Sequence, residues 1–97
     1  MQWYAMILWR VDSSRLAELR DAHESRLAEL HRQGRVLYAG PFAEGGGLTI
    51  FRAATRAEAE RFVAEDPFVL HGTHRAELRT WNPWLTPDRS QPEGLLC

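Results

Sequence analysis

Hydrophobic positions along the chain alternate between a period of two and a period near 3.6, and each change of period marks an element. Residues 2–11, QWYAMILWRV, set Trp3, Ala5, Ile7, Trp9 and Val11 against Tyr4, Met6, Leu8 and Arg10. Both sets are mostly apolar, so this segment reads as a central strand covered on two sides. Residues 14–34 then shift to helical spacing. At ~100° per residue, Leu16, Leu19, His23, Leu27 and Leu30 share an arc of roughly 80°, which places a titratable imidazole where the stripe expects a leucine. Asp12, Ser13 and Ser14 offer oxygens to cap this helix, and Gly34 offers its stop.

A second strand over residues 35–42, RVLYAGPF, breaks at Gly40 and Pro41, because proline cannot donate to a sheet ladder. Gly45, Gly46 and Gly47 permit a tight reversal into LTIFRA from Leu48, so the pair reads as a hairpin. That glycine run opens no helix, which argues for a turn over a phosphate cradle. Thr55 and Glu58 make a capping box for a short second helix. Ala59, Phe62 and Val63 form its apolar side, and Asp66 with Pro67 ends it. DPFVLHGT reads as a connecting loop. Residues 74–81 form a last strand with Ala76, Leu78 and Thr80 alternating against Glu77, Arg79 and Trp81. The remainder has two prolines in LTPDRSQPEGLLC, mixed charge and no period, so residues 85–97 read as a flexible tail on one domain of residues 1–84.

Strand, helix, strand, strand, helix, strand is the α+β, ferredoxin-like βαββαβ order, with both helices on one face of a four-stranded antiparallel sheet. The other face has no cover from within the chain, yet the first strand presents apolar residues there. A second copy is the economical cover, so a homodimer is expected.

Composition narrows the function classes. The 97 residues carry 12 Lys plus Arg, 13 Asp plus Glu and a formal net charge of -1. Every cation is an arginine, and they are dispersed, so no basic patch offers itself to nucleic acid. The absence of lysine excludes Schiff-base chemistry on this chain. Cys97 is the only cysteine, so there is neither an intrachain disulfide nor zinc-type spacing. No run nears the ~18 apolar residues of a membrane span, and the N-terminus lacks a secretory layout. No membrane association and a cytoplasmic location are the expectations.

Among residues that could carry chemistry, His23 leads. An imidazole with a reference pKa of ~6.5 can give or take a proton at neutral pH, although a lone helical histidine is also a common packing residue. Arg20, one turn earlier, can grip an anion by two prongs or sit in solvent. Asp66 is unfavourably placed at a helix C-terminus, which hints at another purpose. Pairing it with His23, roughly 13 Å down the first helix from Ser14, requires the loop to dip inward. His71 and His74 do not share a face of an extended segment, which argues against a metal. His31 suits the end of its helix. Trp3 and Trp9 read as sheet-face core or dimer contact and Trp81 or Trp84 as a pocket wall, with the core the expectation for all four.

Arg20, His23, Leu27, Leu30, Gly34, Gly40 and Pro41, followed by Asp66, Pro67, Phe68 and Gly72, resemble the pattern of the YciI-like, or YCII-related, family. The resemblance covers residues 2–84 and implies a dimeric α+β barrel. It also implies an active site on His23 and Asp66; Arg20, Gly40, Pro41 and Phe68 are expected to bind substrate, and no cofactor or metal is expected. One branch of the family resembles a dehydrochlorinase of a chlorinated hydroxyquinol. His71, His74 and the short turn over residues 43–47 depart from the pattern. The reading is cofactor-independent acid and base chemistry, of lyase or isomerase type, on a small aromatic or anionic molecule. A non-catalytic module that binds a small ligand or mediates assembly is the alternative, and a haem-free monooxygenase is a more distant one.

Overall fold

Residues 1–85 are described by a computed structural model. All but the first residue of the expected tail lie outside them. The strand over Gln2–Arg10 (β1) sits inside a four-stranded antiparallel sheet. The strand over Gly47–Ala53 (β3) pairs with one of its edges, and that over His74–Trp81 (β4) with the other. The strand over Val36–Pro41 (β2) adds outside β3, giving the order β2-β3-β1-β4. This is the ferredoxin-like arrangement expected from the element order.

Alternation in β1 decides what the helices cover. Tyr4, Met6 and Leu8 face them and are buried, whereas Trp3, Ala5 and Ile7 on the other face are half-buried and Trp9 is exposed. The expectation of four core tryptophans is therefore corrected. Trp3 pairs in register with Trp81 on the uncovered face, and Trp81 and Trp84 are both exposed. The core lies on the helix side, where Phe51 stacks on Phe62 at 3.8 Å and on Tyr4 at 5.7 Å.

The first helix (α1) spans Leu16–Arg32 and buries Leu19 and Leu27 of the apolar stripe. Its expected side-chain cap does not form. Asp12 Oδ1 accepts from the Ser14 N–H at 2.9 Å, so that carboxylate is committed to a local turn and the helix starts behind Arg15 without a side-chain cap. At the other end Gly34 adopts φ +79° and Arg35 N–H returns to Leu30 O at 2.9 Å, which satisfies a terminal carbonyl. The second helix (α2), Arg56–Ala64, opens with Glu58 N–H donating to Thr55 Oγ1 at 3.1 Å, as the capping box requires.

The DPFVLHGT segment is not a plain loop. Pro67–Leu70 form a one-turn helix (α3), and Asp66 is its N-cap, accepting from Phe68 N–H at 2.9 Å. Its carboxylate, read as misplaced at the end of α2, is in fact favourably placed at the start of the next turn. No helix among the described residues is long and apolar enough to cross a membrane.

The β2–β3 hairpin closes through Phe42 N–H to Gly46 O at 3.0 Å, with Gly46 at φ +77°. A Cβ there would stand 2.1 Å from the Leu8 carbonyl oxygen, so the hairpin and β1 could not keep their spacing. Gly46→Ala is accordingly expected to destabilise the chain by about 2 kcal/mol or more, from the left-handed penalty and the displacement together. A lowered denaturant midpoint at unchanged slope checks it.

Candidate functional site

Asp66 has no exposed surface, and two elements, α1 and α3, bring three groups to its carboxylate. Oδ1 takes the Phe68 N–H of α3, and Oδ2 lies 2.8 Å from His23 Nδ1 of α1. Arg26, one turn beyond His23, puts Nη1 3.8 Å from the same oxygen. A buried carboxylate thus meets a hydrogen-bonded imidazole and a nearby cation, the kind of compensation such burial demands. Burial pushes the Arg26 guanidinium below its ordinary value, an effect opposed by Asp66 and Glu65. Arg26 is further held by Nη2–H donation to Phe62 O at 2.8 Å and by stacking over the Phe62 ring at 4.6 Å.

The inward dip that a His23 to Asp66 contact requires is supplied by α3. A carboxylate only accepts hydrogen bonds, so His23 carries its proton on Nδ1 when neutral and presents the Nε2 lone pair. No described residue bonds that Nε2. It belongs to the wall of a cleft of about 850 Å³ bounded by α1, the β2–β3 hairpin and the start of β4.

The cleft collects the expected site residues. Arg20 lines it from the exposed edge of α1, and Gly40 and Pro41 line it from the end of β2. Phe68 is buried against His23, ring centroids 4.2 Å apart, and forms part of the same wall. Asp66 stands behind His23, outside the lining. Leu8, Leu27 and Val36 make much of the surface apolar, and Arg10 and Arg20 outnumber Glu24 among its charged residues. His31 also lines it, with Nδ1 2.8 Å from the Val36 carbonyl.

Arg10, Arg26 and Thr73 escaped the sequence reading, and His74 entered it only as a metal ligand to be set aside. Arg26 had only its spacing of three from His23 to point to it, and Arg10 only its place at the end of an apolar strand. Thr73 and His74 are buried at the head of β4, where a loop was expected to give way to an ordinary strand. Among the described residues no three His, Cys, Asp or Glu side chains cluster as a metal ion needs.

A family model, the YCII-related domain, matches residues 1–82 of this chain. No curated protein matches it. Among solved structures, the 5-chloro-2-hydroxyhydroquinone dehydrochlorinase of Burkholderia phenoliruptrix, in complex with 2,5-dihydroxybenzoquinone, is similar with a TM-score of 0.61 at 21% identity. The match covers 81% of this chain and 93% of that one. Likeness at that identity is likeness of fold.

Proposed function

Because the chain belongs to the YCII-related domain family, we propose that it is a cofactor-independent enzyme of acid and base chemistry, of lyase or isomerase type. Its substrate is a small, anionic, oxygen-bearing aromatic ring. The observation that carries this reading is His23, its Nδ1 2.8 Å from the buried Asp66 and its Nε2 left for the cleft. Asp66 orients the imidazole and balances the charge when Nε2 takes a proton; His23 moves that proton. Arg20 supplies the two-pronged contact to the anion, Phe68 braces the imidazole, and Gly40 with Pro41 shape the rim.

The substrate class is supported by an apolar lining that also carries two arginines, Arg10 and Arg20, against one carboxylate, Glu24, which suits a flat ring bearing ionised oxygens. The dihydroxybenzoquinone held by the fold relative is such a ring. The working unit is proposed to be a homodimer in the cytoplasm. Support for the dimer is the uncovered sheet face, where Trp3, Ala5 and Ile7 are only half-buried and Trp9 is exposed.

The test is calorimetric titration of the purified protein with 2,5-dihydroxybenzoquinone, followed by an assay for chloride release from 5-chloro-2-hydroxyhydroquinone. Saturable binding that Arg20→Ala weakens about tenfold, the order of one charge-assisted contact, is the expected result. Failure to bind that ring or related ring anions would overturn the substrate class. Binding without conversion of any of them would identify a ligand-binding module.

A further inference from the structure

His74 is buried, lines the same cleft as His23, and is used by nothing described so far. Its position is built with care by the residues around it. Thr73 N–H and Oγ1–H both donate to Phe68 O, at 2.9 and 3.0 Å, while Thr73 O accepts from Val11 N–H and Asp12 N–H. The hydroxyl proton being committed to Phe68, Thr73 Oγ1 meets His74 Nδ1 at 3.0 Å as an acceptor. His74 Nδ1 therefore carries the proton, and its Nε2, which no described residue bonds, carries the lone pair. Phe68 stacks on both imidazoles, at 4.2 Å from His23 and 4.4 Å from His74. Two imidazoles of the same tautomer thus share one phenyl ring and one cleft.

Their anchors differ in charge. His23 Nδ1 faces a carboxylate, whereas His74 Nδ1 faces a neutral hydroxyl. Burial pushes His74 below its ordinary value, His23 adds to that, Asp66 opposes it, and Arg10, paired with it across β1 and β4, adds again. Arg20 and Glu24 face the cleft from farther along α1.

We propose that His74 is a second proton-transfer residue of this cleft, the general base that works with His23 as the acid. The proposal rests on the acid and base reading above and deepens it. In the step, His23 enters doubly protonated against Asp66, the substrate enters as its non-aromatic keto tautomer, and the ring C–H bond next to the carbonyl breaks, its proton bonding to His74 Nε2. The electron pair forms a ring C=C bond, a carbonyl π pair moves onto its oxygen, and that oxygen takes the proton from His23 Nε2. The ring is isomerised from ketone to enol without oxidant or reductant. A proton passed through water from His74 to His23 restores the start.

The experiment is long-range 1H–15N NMR of the imidazoles across pH, in wild type and Thr73→Val, with 2,5-dihydroxybenzoquinone as the probe. In wild type His74 is expected as the Nδ1–H tautomer, uncharged to below its ordinary 6.5, with Nε2 of both histidines shifting as the probe binds. Thr73→Val is expected to mix the His74 tautomers and leave His23 unchanged. A probe that shifts His23 alone overturns the proposal while the His23 site survives; a probe that shifts neither overturns both. Where a ring is turned over, His74→Gln is expected to lower kcat by about 10²-fold or more and to remove the acid limb of its pH profile. Unchanged kcat and profile would equally overturn the role. The wild-type titration decides the matter even if His74→Gln does not fold.

Discussion

Asp66→Ala is expected to cost about 3–5 kcal/mol of folding stability, the loss typical of removing one partner from a buried charged set. The carboxylate is fully buried and serves two structural purposes besides any chemistry. It caps α3 through Phe68 N–H, and it lies within 3.8 Å of the Arg26 guanidinium. Alanine would uncap a helix of four residues, a loss of about 1 kcal/mol by itself. It would also take the buried carboxylate from a guanidinium whose Nη1 is buried and bonded to nothing among the described residues, leaving it the exposed Glu65 at 4.0 Å. Denaturant unfolding at constant slope measures the sum. Asp66→Asn retains an oxygen for Phe68 N–H and should retain part of the cap. A change below about 1 kcal/mol for the alanine variant would show that Asp66 does not hold this region together.

The second large effect concerns His23. On whichever ring the calorimetric and chloride assays identify, His23→Gln is expected to lower kcat by about 10²–10⁴-fold, the usual worth of a positioned acid or base. Stability should change by far less, because the glutamine amide can still donate to Asp66 Oδ2 and His23 is only partly buried, its side chain 14% exposed. Steady-state kinetics and a thermal melt on the same preparation make the comparison. Parallel loss of activity and melting temperature would mark the histidine as a packing residue that happens to face a cavity.

Much of the fold was legible because it is written in periods. The α1 stripe, the alternation of β1 and the Thr55 to Glu58 box each repeat a local rule over enough residues to be read. α3 was hidden for the converse reason, being a single turn, too short to show a helical period. The Asp-Pro pair was the available signal, since an N-cap aspartate before an N1 proline opens helices as readily as it closes them. The tryptophans misled because apolar residues on both faces of β1 say that two covers are wanted. They do not say which cover the chain itself provides. His23 and Asp66 could be named from the family pattern, but their contact depends on how α3 packs on α1. The pairing of His74 with His23 joins residues far apart in sequence through Phe68, and nothing periodic records such a stack.

The shared stack on Phe68 also has an entropic side. Both imidazoles are clamped at Nδ1 and against a ring, so their torsions are fixed when the chain folds, before any ligand arrives. Ordering a rotamer-rich side chain at the moment of binding typically costs about 0.5–1.5 kcal/mol. Here that loss is charged to folding, and a small ring with few atoms to spend on affinity enters a site already set for it.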